Sequence, residues 1–249
     1  MNLREEGTVI RLAAQFLTRL PVGAPDWSEA RMAETPRWYP LVGVVVGLIA
    51  GAALWAGSFV SPLFGAVAAL AAGALATGCF HEDGFADMCD GLGGGATRER
   101  ALEIMRDSRL GTYGVAGLVL LLAGKAAALA AMPVGAGVAA LVAAHAGGRL
   151  SSVGVMVTAR YARDHGTGKP VEAGAPGWWV AAATGGLALV PAALISPWGA
   201  ALALALLAAS HGEMRRRFER RLGGYTGDCL GGVEQAGELA VLAGIAACL

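Results

Sequence analysis

From residue 39 onward the chain returns again and again to apolar runs of about 15 to 25 residues, at 39–60, 62–80, 112–132, 135–157, 178–196, 198–210 and 235–249. Lipid offers no hydrogen-bond partner to the backbone, so a spanning segment must be a helix of about 20 mostly apolar residues, or a strand of a closed barrel. Runs of this length predict an all-α, polytopic integral-membrane bundle of about seven transmembrane segments. The runs at 198–210 and 235–249 are short for a span, and read as tilted partners, re-entrant segments or longer helices with polar ends. Composition agrees: 15% of residues are charged, against about 25% in soluble domains. With 19 basic and 19 acidic residues in balance, the chain lacks the basic excess that nucleic-acid binding requires.

Residues 1–38 form a cytoplasmic or interfacial segment before the bundle, and the whole chain, 1–249, reads as one membrane-embedded domain. Val9, Leu12, Ala13, Phe16, Leu17 and Leu20 recur at helical spacing, which predicts an amphipathic helix lying on the lipid surface. Arg4, Arg11 and Arg19 break the apolar core that a secretory signal would need. Arg and Lys fall in the N-terminal segment and in 81–111, 158–177 and 212–234, while the turns at 61–62, 133–134 and 197 carry none. Basic residues mark the cytoplasmic side, so a bacterial inner-membrane location is expected, with the N-terminus and the chemistry facing the cytoplasm. Gly43, Gly47 and Gly51 place a small residue on every turn of the first span, a pattern that lets helices approach closely and permits homo-oligomers. Cys79, Cys89, Cys229 and Cys248 have no Cys-x-x-Cys spacing and read as small apolar packers.

The densest polar block is HEDGFADMCDG, residues 81–91. On a helix, Asp83, Asp87 and Asp90 at i, i+4 and i+7 share one face. Three carboxylates so close repel unless cations neutralise them, and oxygen ligands of this kind suit Mg2+ held jointly with substrate phosphates. His81 is a candidate for proton transfer or substrate contact. The bland alternative is a solvated acidic loop.

Three further polar features accompany it. In IMRDSRLGTYG, residues 104–114, Arg106 and Arg109 suit phosphate oxygens, and Asp107 and Ser108 suit a metal or hydroxyl network; basic anchoring at a helix end is the alternative. In GGYTGDCLGGVEQAGE, residues 223–238, Asp228 lies in a glycine-rich loop. Glu234 and Glu238 stand one turn apart at the start of the last span, further candidates for metal binding, because an intramembrane carboxylate is costly unless it has a partner. Lys125 and Arg149 lie inside spans, and each is read as a substrate contact, an ion-pair partner or, for Lys125, a side chain snorkelling outward. His145 is one turn from Arg149. The tract 214–221, MRRRFERR, reads first as an anchor to anionic lipid and second as a guide for an anionic nucleotide. Tyr161, Arg163, His165 and Lys169 form another polar loop without an assigned role.

The 81–91 block is similar to the His-x-Asp-Gly-Leu-Ala-Asp-x-x-Asp-Gly signature of the cobalamin (5'-phosphate) synthase family, with Phe85 where Leu is usual. FLTRLPV (16–22), RWYPLVG (37–43), MRDSRLGTYG (105–114) and YTGDCLGG (225–232) resemble further family blocks in the same order. The resemblance implies a magnesium-dependent membrane transferase acting late in cobalamin assembly. Such an enzyme joins adenosylcobinamide-GDP to α-ribazole or α-ribazole 5'-phosphate and releases GMP. It further implies that Asp83, Asp87 and Asp90 hold the metal, that Asp228 completes its shell or acts as base, and that Arg106 and Arg109 neutralise the pyrophosphate. The nearest rival is a phosphotransferase acting on CDP-activated alcohols. Asp87-Met-Cys-Asp90-Gly91 fits the opening of its motif, but 92–97 lacks the Ala-Arg pair that should follow. From another class, a transporter would use Arg149, Lys125 and Glu238 as an ion path.

Overall fold

The computed structural model describes residues 3–162 and 175–249. Arg163, His165 and Lys169 of the polar loop lie outside the described residues. Eleven α-helices are found among the described residues: α1 Leu3–Leu17, α2 Glu29–Glu34, α3 Tyr39–Ser58, α4 Pro62–Thr77, α5 Phe80–Gly94, α6 Arg98–Ile104, α7 Thr112–Ala130, α8 Val134–Thr158, α9 Trp178–Ile195, α10 Pro197–Leu222 and α11 Gly227–Ala246. A short 3-10 turn, Thr35–Trp38, joins α2 to α3. The all-α, multi-pass reading holds.

The number of spans differs from the expected seven. Five helices are long and apolar enough to cross a membrane, or six if α4 and α5 count as one broken span. Two sequence boundaries explain the difference. The run 62–80 stops as a helix at Thr77, because Gly78 and Cys79 both adopt left-handed backbone, with φ of 68° and 60°, and α5 leaves at 93° to α4. A side chain at 78 would also collide with the guanidinium of Arg19. The run 198–210 is only the apolar half of α10, which has 26 residues. Nothing at Ser210 breaks it: Glu213, Met214 and the arginines that follow are good helix formers, and Glu213–Arg217 and Arg215–Glu219 pairs at 2.7 and 2.9 Å link successive turns. The last helix likewise starts at Gly227, eight residues before its apolar run, under the Thr226 cap.

At the centre stands α8, packed against α3, α9 and α11. The α3 glycines allow this. A Cβ at Gly43 would overlap the His145 backbone, and one at Gly47 would lie 2.7 Å from Val142 Cα. The α1 face expected to be apolar is buried through Val9, Leu12, Ala13 and Leu17. On the same face, one turn before Val9, Glu6 holds the entry to α3 by accepting from Arg37 at 2.9 Å and from the Trp38 indole at 3.1 Å.

Candidate active site at the bend of the fourth and fifth helices

The 93° bend turns α5 across the charged end of the bundle, where α7 and α11 pack against it. Its contact with α11 is close because both helices place glycine there. A Cβ on Gly84 would sit 3.2 Å from Asp228 Cα, and one on Gly231 would sit 2.9 Å from the His81 carbonyl oxygen. Asp228 is thereby brought beside α5, in the first turn of α11, where its Oδ2 accepts from the Thr226 hydroxyl at 3.2 Å.

Asp83 and Asp87 line one cavity of about 660 Å3 between α4, α5 and α7, together with Glu82 and Ser108. The remaining wall is apolar, including Leu70, Leu118 and Leu122. Helical spacing alone does not single out Glu82, which stands beside Asp83 in the sequence. Its Oε1 accepts from Gln235 Nε2 at 3.2 Å, and its Oε2 is buried with no partner among the described residues.

Asp90 lies elsewhere. Its two oxygens accept from the Gly111 and Gly114 backbone N–H groups at 2.7 and 2.8 Å, so it caps α7, whose own N-cap is a glycine without a side chain. The positive end of α7 stabilises this buried carboxylate. Asp90 is outside the cavity lining although helical spacing puts it on the face of Asp83 and Asp87.

On the 105–111 connection, Arg109 forms a two-pronged pair with Asp107 through Nε and Nη2, and its backbone N–H adds a third bond to Asp107 Oδ1 at 3.1 Å. These bonds, the side-chain ones first, pull the Asp107 carboxyl down to about 2, and Arg109 is raised in return by the same partner. Arg106 is exposed and makes no ion pair among the described residues, so of these two arginines it has the uncommitted charge.

His81, Lys125, Arg149, Glu234 and Glu238 form a separate, buried ionic network linking α5, α7, α8 and α11. Lys125 Nζ lies 2.6 Å from Glu238 Oε2 and also donates to Gln235. His145 Nδ1 lies 2.6 Å from Glu238 Oε1. Arg149 Nη1 lies 3.0 Å from Glu234 Oε1 and donates to the His145 carbonyl at 3.0 Å. His81 Nε2 approaches Glu234 Oε2 at 2.9 Å, out of line for a hydrogen bond. Two acidic side chains, Glu234 and Glu238, face two basic ones, Lys125 and Arg149, so the groups expected to bind substrate or metal are partnered with one another. A bond from Gln235 Nε2 to Glu82 Oε1 at 3.2 Å links this network to the cavity lining.

Among the described residues no three His, Cys, Asp or Glu side chains gather into a metal cage. Of the six carboxylates expected as ligands, Asp83 and Asp87 line the cavity, Asp90 caps α7, Glu234 and Glu238 lie in the network, and Asp228 stands in the first turn of α11, outside the cavity lining. The donor chemistry at the cavity nevertheless fits magnesium. The cavity presents carboxylate oxygens from Asp83, Asp87 and Glu82, the last with a buried oxygen lacking a partner. Mg2+ is commonly held by one or two carboxylates plus substrate phosphates rather than by an all-protein cage.

The fold and site together are those of a multi-pass helical membrane protein with a carboxylate-lined cavity at the charged end of its bundle. The cobalamin-5-phosphate synthase family model matches residues 9–246, and the chain belongs to that family. It is 44% identical to the adenosylcobinamide-GDP ribazoletransferase of Leptothrix cholodnii, over 97% of this chain and 96% of the relative. The enzymes of the same name from Ralstonia nicotianae and Bradyrhizobium diazoefficiens are 44% and 43% identical, over 96% and 94% of this chain and 95% and 91% of their own. No solved structure matches. The family blocks seen in the sequence therefore identify a transferase of cobalamin synthesis.

Proposed function

We propose that the chain transfers the adenosylcobinamide phosphate group from adenosylcobinamide-GDP to α-ribazole or its 5'-phosphate, releasing GMP, at the cytoplasmic face of a bacterial inner membrane. The observation that carries this reading is the cavity shared by Asp83, Asp87 and Ser108, in a chain related over nearly its full length to enzymes named for that transfer. The ribose 3'-hydroxyl oxygen of the acceptor forms the new bond to the phosphorus carrying the aminopropanol arm. The bond from that phosphorus to the bridging oxygen breaks, and the electron pair leaves with GMP. The hydroxyl proton passes to a carboxylate, for which Asp228, held beside α5 by the Gly84 contact, is the candidate.

Asp83 and Asp87 would hold Mg2+, with Glu82 or Asp228 completing the oxygen set. When bound, the ion supplies charge neutralisation to the pyrophosphate and the leaving group. Arg106 adds a guanidinium for phosphate oxygens, while Arg109 shapes the connection through Asp107. Asp90 and the buried network contribute by position: they fix α5 against α7 and α11, and catalysis of this kind rests on positioning and charge. His81, Arg149, Lys125, Glu234 and Glu238 take that supporting role in place of substrate or metal contact.

The test is GMP release by purified protein in lipid, stripped of metal and then given adenosylcobinamide-GDP, α-ribazole 5'-phosphate and Mg2+. Release requiring all three supports the reading. Release from adenosylcobinamide-GDP without an acceptor would instead make the chain a hydrolase.

A further inference from the structure

A second cavity, of about 830 Å3, lies behind α5. Its floor is apolar, with Phe85, Met88 and Leu92 from α5 and Met214 from α10, while Arg217, Arg220 and Arg221 line its charged side. The face of α5 that forms this floor is turned away from Asp83 and Asp87 by helical period. A molecule lying here is separated from the reacting face by the helix itself, so this groove is not a seat for the acceptor or the nucleotide.

Its charge and its level point to another occupant. Residues 213–221 hold five arginines against two glutamates, an excess of three positive charges on one helix end. Arg217 shares Glu213 with Arg216, Arg221 donates to the Gly95 carbonyl, and Arg220 has no ion-pair partner among the described residues. Tyr113, at the first turn of α7 and 58% exposed, borders the same groove. An exposed tyrosine at a helix end marks the boundary between headgroups and acyl chains. An apolar slot with a cationic rim at that boundary complements an anionic phospholipid.

We propose that this groove binds an anionic phospholipid, its phosphate held by Arg217 and Arg220 and an acyl chain laid along Phe85, Met88 and Leu92. The lipid then fills the space behind the helix that carries the acidic cavity. This goes beyond a diffuse attraction of the basic tract to the membrane, because it assigns a particular groove and particular arginines.

Cys89 also lines the groove and provides the readout. The full chain is reconstituted in nanodiscs of phosphatidylcholine alone or of phosphatidylcholine with phosphatidylglycerol, and alkylation of Cys89 is followed by peptide mass spectrometry. Phosphatidylglycerol is expected to slow alkylation several-fold in the wild type. The R217Q/R220Q variant should lose that protection, R217K/R220K should keep it, and R216Q, altered outside the groove, should behave as wild type. Equal weakening by R216Q would reduce the effect to general surface charge and overturn the site. Protection by glycerol 3-phosphate or inorganic phosphate in phosphatidylcholine discs would overturn it in favour of a soluble anion. No protection by phosphatidylglycerol in the wild type, or loss of protection in the lysine variant as well, would also refute it.

Discussion

Asp90 Oδ2 accepts the Gly111 backbone N–H at 2.7 Å across 21 residues of sequence, joining the end of α5 to the start of α7. A carboxylate from one helix thus caps another whose own N-cap has no side chain. Asp90→Ala should lower stability by about 1–3 kcal/mol, the cost of leaving buried donors unpaired, and Asp90→Asn should recover part of that loss. Thermal unfolding in detergent measures both. An unchanged unfolding midpoint with activity lost would return Asp90 to the metal.

The network between α7, α8 and α11 offers a second test. Removing one partner of a buried ion pair costs about 3–5 kcal/mol, because the other charge remains stranded. Glu238→Ala and Lys125→Met should therefore each be strongly destabilising, and the double variant should be more stable than their sum implies. Additive losses in a double-mutant cycle would show that Lys125 and Glu238, 2.6 Å apart, do not depend on each other.

These two features show where the sequence was informative. Asp83 and Asp87, one turn apart, were legible as a pair on one face, and the structure puts both on one cavity. Asp90 has the same periodicity, but spacing cannot show that Gly111 and Gly114 claim its oxygens. Glu234, Glu238, Arg149 and Lys125 were legible as intramembrane charges that need partners. Their pairing was not, since Lys125 and Glu238 are 113 residues apart and meet only through helix packing. For the run 198–210 hydropathy leaves a tilted partner, a re-entrant segment and a longer helix with a polar end all open, and α10 is the last of these, because hydropathy changes at Ser210 while helix propensity does not.

Close helix contact predicts a contrast between two glycines. A Cβ at Gly43 would meet the backbone of α8, with the His145 carbonyl carbon at 2.7 Å, whereas one at Gly135 has open space. Gly43→Ala should cost at least the roughly 1–3 kcal/mol of an overpacked interior. Gly135→Ala should be neutral or stabilising, since alanine is the better helix former. Unfolding midpoints that fall equally in both would contradict the α3–α8 packing.

The Asp107–Arg109 pair sets a pH limit on the 105–111 connection. Asp107 is depressed to about 2, chiefly by its side-chain bonds to Arg109. A carboxyl lowered by folding contributes stability above its unfolded value of about 3.9. That contribution is lost as pH falls from there through the folded value. Hydrogen exchange in the peptide spanning 105–111, corrected for its intrinsic pH dependence, should be constant from neutral pH to about 4 and rise below it. In Arg109→Gln it should already be fast at neutral pH. Loss of protection between pH 7 and 5 would assign the control to another group.

The central claim is that Asp87 serves chemistry at the cavity while Asp90 serves structure. GMP release from adenosylcobinamide-GDP and α-ribazole 5'-phosphate, measured for Asp87→Asn beside its unfolding midpoint, tests this most directly. The account predicts that turnover is abolished and the midpoint is that of the wild type. Near-normal turnover in a folded Asp87→Asn protein would contradict it.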